Sequence, residues 1–150
     1  PLETTVEEVL RKAIQSEVET RLYYQTLAER AATPEVRKRL LQLADGELIH
    51  RARMERKYRE TIGQAPPDPQ PATVEIPLET TNLDLPRALK LALERERDSE
   101  SYFRFMAERV PDTELGRLFM ELAETEWKHK TDLQAEYDAS GAADRFLMDL

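Results

Sequence analysis

Cysteine is absent from the 150 residues, which excludes disulfides, zinc–thiolate sites and iron held by four thiolates. Any metal must then be held by carboxylate and imidazole. Glycine is scarce, with four positions, and 40% of residues are hydrophobic while 35% are charged. That balance favours a helical globular domain over a disordered or all-β chain. Positive charge is in deficit, 22 Lys and Arg against 30 Asp and Glu for a net −8, and no basic cluster stands clear of acidic neighbours. A nucleic-acid partner is therefore not expected. No apolar stretch approaches the roughly 20 residues that span a bilayer. The opening PLETTVEEVLRK is acidic rather than basic and then apolar, so neither membrane association nor secretion is expected and the expected location is cytoplasmic.

The length suits a single domain, 1–150, able to bury a core without staples. At helical period, Val6, Leu10, Ala13, Ile14, Tyr24, Leu27, Ala28 and Ala31 form one stripe and predict a helix over about 5–31. Thr5 followed by Glu8 fits a capping box at its start. In ATPE, Thr33 can cap and Pro34 suits the first turn of a second helix, 34–62, with Val36, Leu40, Leu43, Met54 and Tyr58 on its apolar line. Residues 63–84 hold five of the nine prolines and read as a crossover. Helices over 85–110 and 113–138 follow, the last capped by Asp112. The closing GAADRFLMDL ends apolar and is expected to dock on the bundle.

Placed on residues 85–137 without a gap, residues 6–58 give 13 identities, including Leu10/Leu89, Ala13/Ala92, Tyr23/Tyr102 and Tyr58/Tyr137. The chain is thus two copies of a helical hairpin, an all-α four-helix bundle. A helix of 27 residues is about 40 Å long, and 22 extended residues reach up to about 75 Å, so the crossover can travel the length of a hairpin. Equivalent positions of the two copies are then expected to meet at mid-height.

The only histidines, His50 and His129, are 79 positions apart, and each follows a glutamate by three residues, Glu47 and Glu126. With 21 glutamates in 150 positions, that coincidence arises by chance in about one case in fifty. Glu47 and His50 lie on the second helix's apolar line, as Glu126 and His129 do with Leu115, Phe119, Leu122, Leu133 and Tyr137 on the fourth. Glu17 and Glu96, again 79 apart, sit on the stripes of the first and third helices. Four inward carboxylates would cost several kcal/mol each as lone buried ions. No lysine lies on these stripes, and Arg21, one turn beyond Glu17, is too little for four. Two divalent cations supply +4 against −4, with two neutral imidazoles completing the donors. Tyr24 is on the same stripe and can hydrogen-bond a ligand carboxylate or simply pack. Tyr23, Tyr102 and Trp127 lie off the metal line and read as packing or subunit contacts. Glu100, one turn past Glu96, reads as an inter-helix ion pair or as an extra ligand.

This pattern, one Glu from each of two helices and Glu-x-x-His from each of the other two, resembles the rubrerythrin branch of the ferritin-like di-iron carboxylate proteins over about residues 5–138. The resemblance implies two iron ions, with manganese or a mixed pair as variants. It implies that Glu17 and Glu96 are terminal carboxylates, Glu47 and Glu126 bridging ones, and His50 and His129 one imidazole per metal. Tyr24 takes the place of a tyrosine beside the ligands. The expected function is an oxidoreductase reducing hydrogen peroxide or, less readily, dioxygen. A ferroxidase for iron storage and a purely structural bundle are the alternatives. Rubrerythrins proper carry a four-cysteine rubredoxin-like domain, missing from this sequence, so electrons would come from a separate donor, rubredoxin-like or another reductase. A further family glutamate is replaced by Ser99, and a homodimer is implied.

Overall fold

The computed structural model describes residues 5–77, 79–110 and 113–141. Four helices make up the described chain, α1 (Val6–Ala28), α2 (Pro34–Ile62), α3 (Leu85–Arg109) and α4 (Thr113–Ala139), with no strand among the described residues. The chain divides into two compact units at Asn82 and Leu83, each holding one helical pair. The docking expected of the closing segment and the cap expected at Asp112 lie outside the described residues.

In the first unit the helix starts follow local chemistry. Thr5 caps α1 in a reciprocal box with Glu8, so two otherwise orphaned amides find acceptors. Thr33 accepts from the Val36 amide, and Pro34 follows at the first turn, where its missing N–H costs nothing. α1 ends at Ala28, short of the expected position 31. Its last turn tightens instead, the Arg30 amide bonding the Leu27 carbonyl at 2.9 Å. α2 ends at Gly63, whose φ of 81° places it in the left-handed conformation that glycine adopts without a Cβ penalty.

The two helices run antiparallel, since Tyr58 near the end of α2 donates to Glu7 at the start of α1 at 3.0 Å. Burial and that bond push the Tyr58 hydroxyl pKa up. Leu10, Ala13, Ile14, Tyr24 and Leu27 of α1 are buried, as are Leu40, Ala44, Met54 and Tyr58 of α2. Val9 is buried and Val6 only partly so, because the stripe is wide enough to take a residue on its other flank.

The crossover lies along α1. Gln15 and Gln70 exchange two bonds, side-chain N–H to backbone carbonyl at 3.1 Å and backbone N–H to side-chain carbonyl at 2.9 Å. Further on, Arg30 donates to the carbonyls of Pro77 and Thr80 at 3.1 and 3.3 Å. From Gln15 to Arg30 the helix rises about 22 Å, and seven proline-rich extended residues from Gln70 to Pro77 cover about the same distance. The proline-rich segment therefore runs extended beside the helix, as its composition requires.

The second unit repeats the plan. Asp84 caps α3 by accepting from the Arg87 amide at 3.0 Å, with Pro86 in the first turn. α3 and α4 pack through Leu89, Ala92 and Phe103 on one helix and Leu115, Phe119, Leu122 and Leu133 on the other, all buried. The Phe103 and Phe119 rings stack with centroids 6.0 Å apart. Each such side chain contributes about 1.5–3 kcal/mol on burial. That is the stabilisation against which polar groups in the same layers must be set.

Candidate metal centre

In the first unit Glu17 stands between Ile14 and Tyr24 on α1's buried stripe, while Glu47 and His50 stand between Ala44 and Met54 on α2's. A three-residue step keeps Glu47 and His50 on one side of α2, and antiparallel packing brings both to Glu17. His50 Nδ1 lies 3.7 Å from Glu17 Oε2 and 3.5 Å from Glu47 Oε2, and all three side chains are at most 5% exposed. One donor atom from each falls within 4.8 Å of the others.

Burial pushes the Glu17 carboxyl pKa well up, and a hydrogen bond shared with Glu47 adds to the rise while His50 opposes it. Glu17 Oε2 is buried with no hydrogen-bond partner, since 3.7 Å is too long for a bond from His50. An unsatisfied buried acceptor costs about 1–3 kcal/mol. Two donors on one cation at about 2.1 Å each are roughly 3.0–3.4 Å apart, so this triad needs only a small contraction to hold an ion. The carboxylate–imidazole donor set suits iron, manganese or zinc.

The second unit carries the counterparts. Glu96 and Glu126 are buried, at 1% and 0% exposure. His129 differs from the inward placement expected of it: its side chain is 39% exposed, with Nδ1 3.9 Å from Glu126 Oε2. The step of three residues turns position 129 some 60° around α4 from Glu126. On α2 the same step leaves His50 buried against Glu17.

Glu100 is an inter-helix ion pair. Lys130 of α4 bonds it at 2.6 Å and Arg104 bonds it at 2.9 Å. Burial alone raises the Glu100 carboxyl pKa, but these two cations outweigh it and hold the group below the usual carboxylate range. Lys130 lies off the apolar line and was not expected here. Its four-carbon stem carries the ammonium to a carboxylate that the stripe alone leaves unpaired. Tyr24 is fully buried with its ring edge-on to Tyr23 at 5.6 Å, and Tyr102 packs likewise on Phe103. Trp127 is half exposed, so it is no part of the unit's interior.

The first triad is reached from outside by a cavity of about 170 Å³, whose walls include Glu17 and Glu47 together with Arg21, Gln25, Arg51 and Ala72. Sequence reasoning weighed Arg21 only as a counter-charge and passed over Arg51. Each stands four residues, about one helical turn, after a site glutamate, 17 to 21 and 47 to 51, and that shared i,i+4 spacing was the available signal.

Buried carboxylates and a histidine on paired helices define a metal-binding helical protein of the carboxylate class. The Rubrerythrin family profile matches residues 8–137, across both hairpins, and the chain belongs to the rubrerythrin family. It is accordingly all-α, of the four-helix class of the ferritin-like di-iron family, with carboxylate and histidine groups able to hold metal. Among solved structures it is similar to a hypothetical protein from Pyrococcus furiosus, 26% identical over 89% of each chain with a TM-score of 0.65. No curated protein matches. Among the described residues no helix is long and apolar enough to cross a membrane.

Proposed function

We propose that the protein is a di-iron oxidoreductase that reduces hydrogen peroxide, or dioxygen, with electrons from a separate donor. Glu17, Glu47, His50, Glu96, Glu126 and His129 would together hold one pair of iron ions. The observation that carries this reading is the buried triad of Glu17, Glu47 and His50, repeated residue for residue 79 positions later. Four carboxylates balance two divalent cations, which answers the cost of placing acids at 0–4% exposure.

When bound, the iron pair supplies the two electrons that cleave the O–O bond, so that hydrogen peroxide, two electrons and two protons give two waters. The protein's own part is positional. Glu47 and Glu126 would be the bridging carboxylates and Glu17 and Glu96 the terminal ones, with His50 and His129 as one imidazole per metal. Burial raises the Glu17 pKa, so loading the site with cations would be accompanied by proton release from this carboxyl. Tyr24, buried about two turns beyond Glu17 on the same stripe, would pack behind the carboxylates. Reducing equivalents would come from a separate donor of the rubredoxin-like or reductase class.

Arg21 and Arg51 on the cavity wall favour a small neutral or anionic oxidant over traffic in Fe(II), which a storage role requires. Iron-loaded protein given hydrogen peroxide and a chemical reductant without oxygen should turn over repeatedly, with peroxide loss followed against time. A single oxidation followed by growth of ferric mineral would instead establish storage and overturn the reading.

A further inference from the structure

The cavity beside Glu17 and Glu47 has a composition that the metal centre does not explain. Arg21 Nε is buried and has no hydrogen-bond partner among the described residues. Arg51 meets Glu55 only at 3.6 Å through Nε, beyond the range of a close bond. Two guanidinium groups therefore flank one small cavity without an acceptor that satisfies either well. The buried, unpartnered N–H of Arg21 is costly to leave so, and the planar forks of both arginines match oxyanions in geometry.

The internal repeat shows what this place becomes when it is closed. Adding 79 converts Arg21, Gln25 and Arg51 into Glu100, Arg104 and Lys130. In the second unit those three satisfy one another, Lys130 and Arg104 bonding Glu100 at 2.6 and 2.9 Å. In the first unit the acid is missing, because arginine stands where glutamate would complete the ion triad. The first unit thus keeps a cationic opening where the second has a closed network.

We propose that this cavity is an anion site that takes one small inorganic oxyanion, of phosphate size or less, between Arg21 and Arg51. At about 170 Å³ the cavity has the volume of roughly five or six waters, enough for a tetrahedral oxyanion with some water and too small for a bulky organic acid. Glu17 and Glu47 also line the cavity, and carboxylates there disfavour an anion less once cations are bound. In that respect alone the inference rests on the metal-centre reading, and it makes anion binding tighter in metal-loaded protein.

Inorganic phosphate is the probe, titrated calorimetrically into the full chain, metal-free and again after manganese(II) loading and desalting, with manganese content measured. One saturable phosphate per chain is expected, tighter with manganese and weakened by salt. Arg21→Gln and Arg51→Gln should each weaken it at least about tenfold, as loss of a charge-assisted bond implies, with manganese content unchanged. Arg21→Lys should fall between, and Lys130→Gln, at the equivalent place in the second unit, should bind as the native protein does. Manganese-loaded protein that binds no phosphate, or Gln variants that bind it natively, would overturn the site while leaving the metal centre standing. If the chain takes up no manganese, the metal-centre reading fails and the metal-free titration decides the cavity alone: Arg21-dependent binding upholds it and no binding overturns it. Should Arg21→Gln not fold by circular dichroism, Arg51→Gln and Arg21→Lys decide.

Discussion

Glu17→Gln separates the two demands made on this position, holding a cation and stabilising the fold without one. A carboxyl whose pKa is raised by folding contributes stability only while protonated. That contribution is complete below the ordinary carboxylate pKa of the unfolded chain and is lost as pH rises through the higher folded value. Metal-free native protein should therefore weaken as pH rises above the ordinary carboxylate range. The glutamine has no proton to lose, and its amide can donate to Glu47 as the acid does. An ionised carboxylate at 3% exposure costs several kcal/mol. His50, 3.7 Å away, offsets part of that, leaving about 2 kcal/mol as the variant's advantage at pH 8. For a chain of this length 1 kcal/mol moves Tm by about 2–4 °C, so Glu17→Gln should melt about 4–8 °C above native protein at pH 8 in chelator. By pH 5 the two should converge. Metal must reverse the order, because the native chain gains more from a ligand that it binds better. Thermal melts followed by circular dichroism across this range check all three statements. Parallel pH curves for the two proteins would refute the buried, proton-holding Glu17 on which the triad rests.

Lys130→Gln should cost about 1–2 kcal/mol at pH 7 in urea unfolding. That is less than a fully buried pair would lose, because Lys130 is 31% exposed and Arg104 remains on Glu100. Glu100, with its pKa lowered, contributes stability above the unfolded carboxylate pKa and loses it as pH falls through the folded one, so the gap should narrow in acid. An equal gap at both pH values would show that the loss does not come from the charge on Glu100. Thr33→Ala should lose about 1 kcal/mol with the cap on the Val36 amide, or about 2–4 °C in Tm, and keep its metal content; an unchanged Tm would mean that Pro34 alone fixes the start of α2.

Much of this architecture could be read from the chain because its signals are local or periodic. Thr5 with Glu8 and Thr33 with Pro34 each fix a helix start within four residues, and the structure shows both. Glu17, Glu47 and Glu126 were found through their apolar neighbours, since a charged residue on a core stripe needs a reason that the repeat then supplied. What stayed hidden depends on side-chain reach and on pairs far apart in sequence. Lys130 lies off the stripe, yet its flexible stem reaches Glu100. The clasp of Gln15 on Gln70 spans 55 positions and has no periodic trace. The Arg21 and Arg51 cavity exists only because no side chain fills the space between two arginines, and His129 faces partly outward although its sequence context mirrors that of His50.

The central claim is that two repeated triads serve one pair of metal ions. Anaerobic Fe(II) titration with metal analysis, on native protein, Glu47→Ala and Glu126→Ala, tests it most directly. The account predicts two irons per native chain and one or none in either variant, because it assigns each of these glutamates a bridging role. Two irons retained in both variants, or no more than one in the native chain, would contradict it.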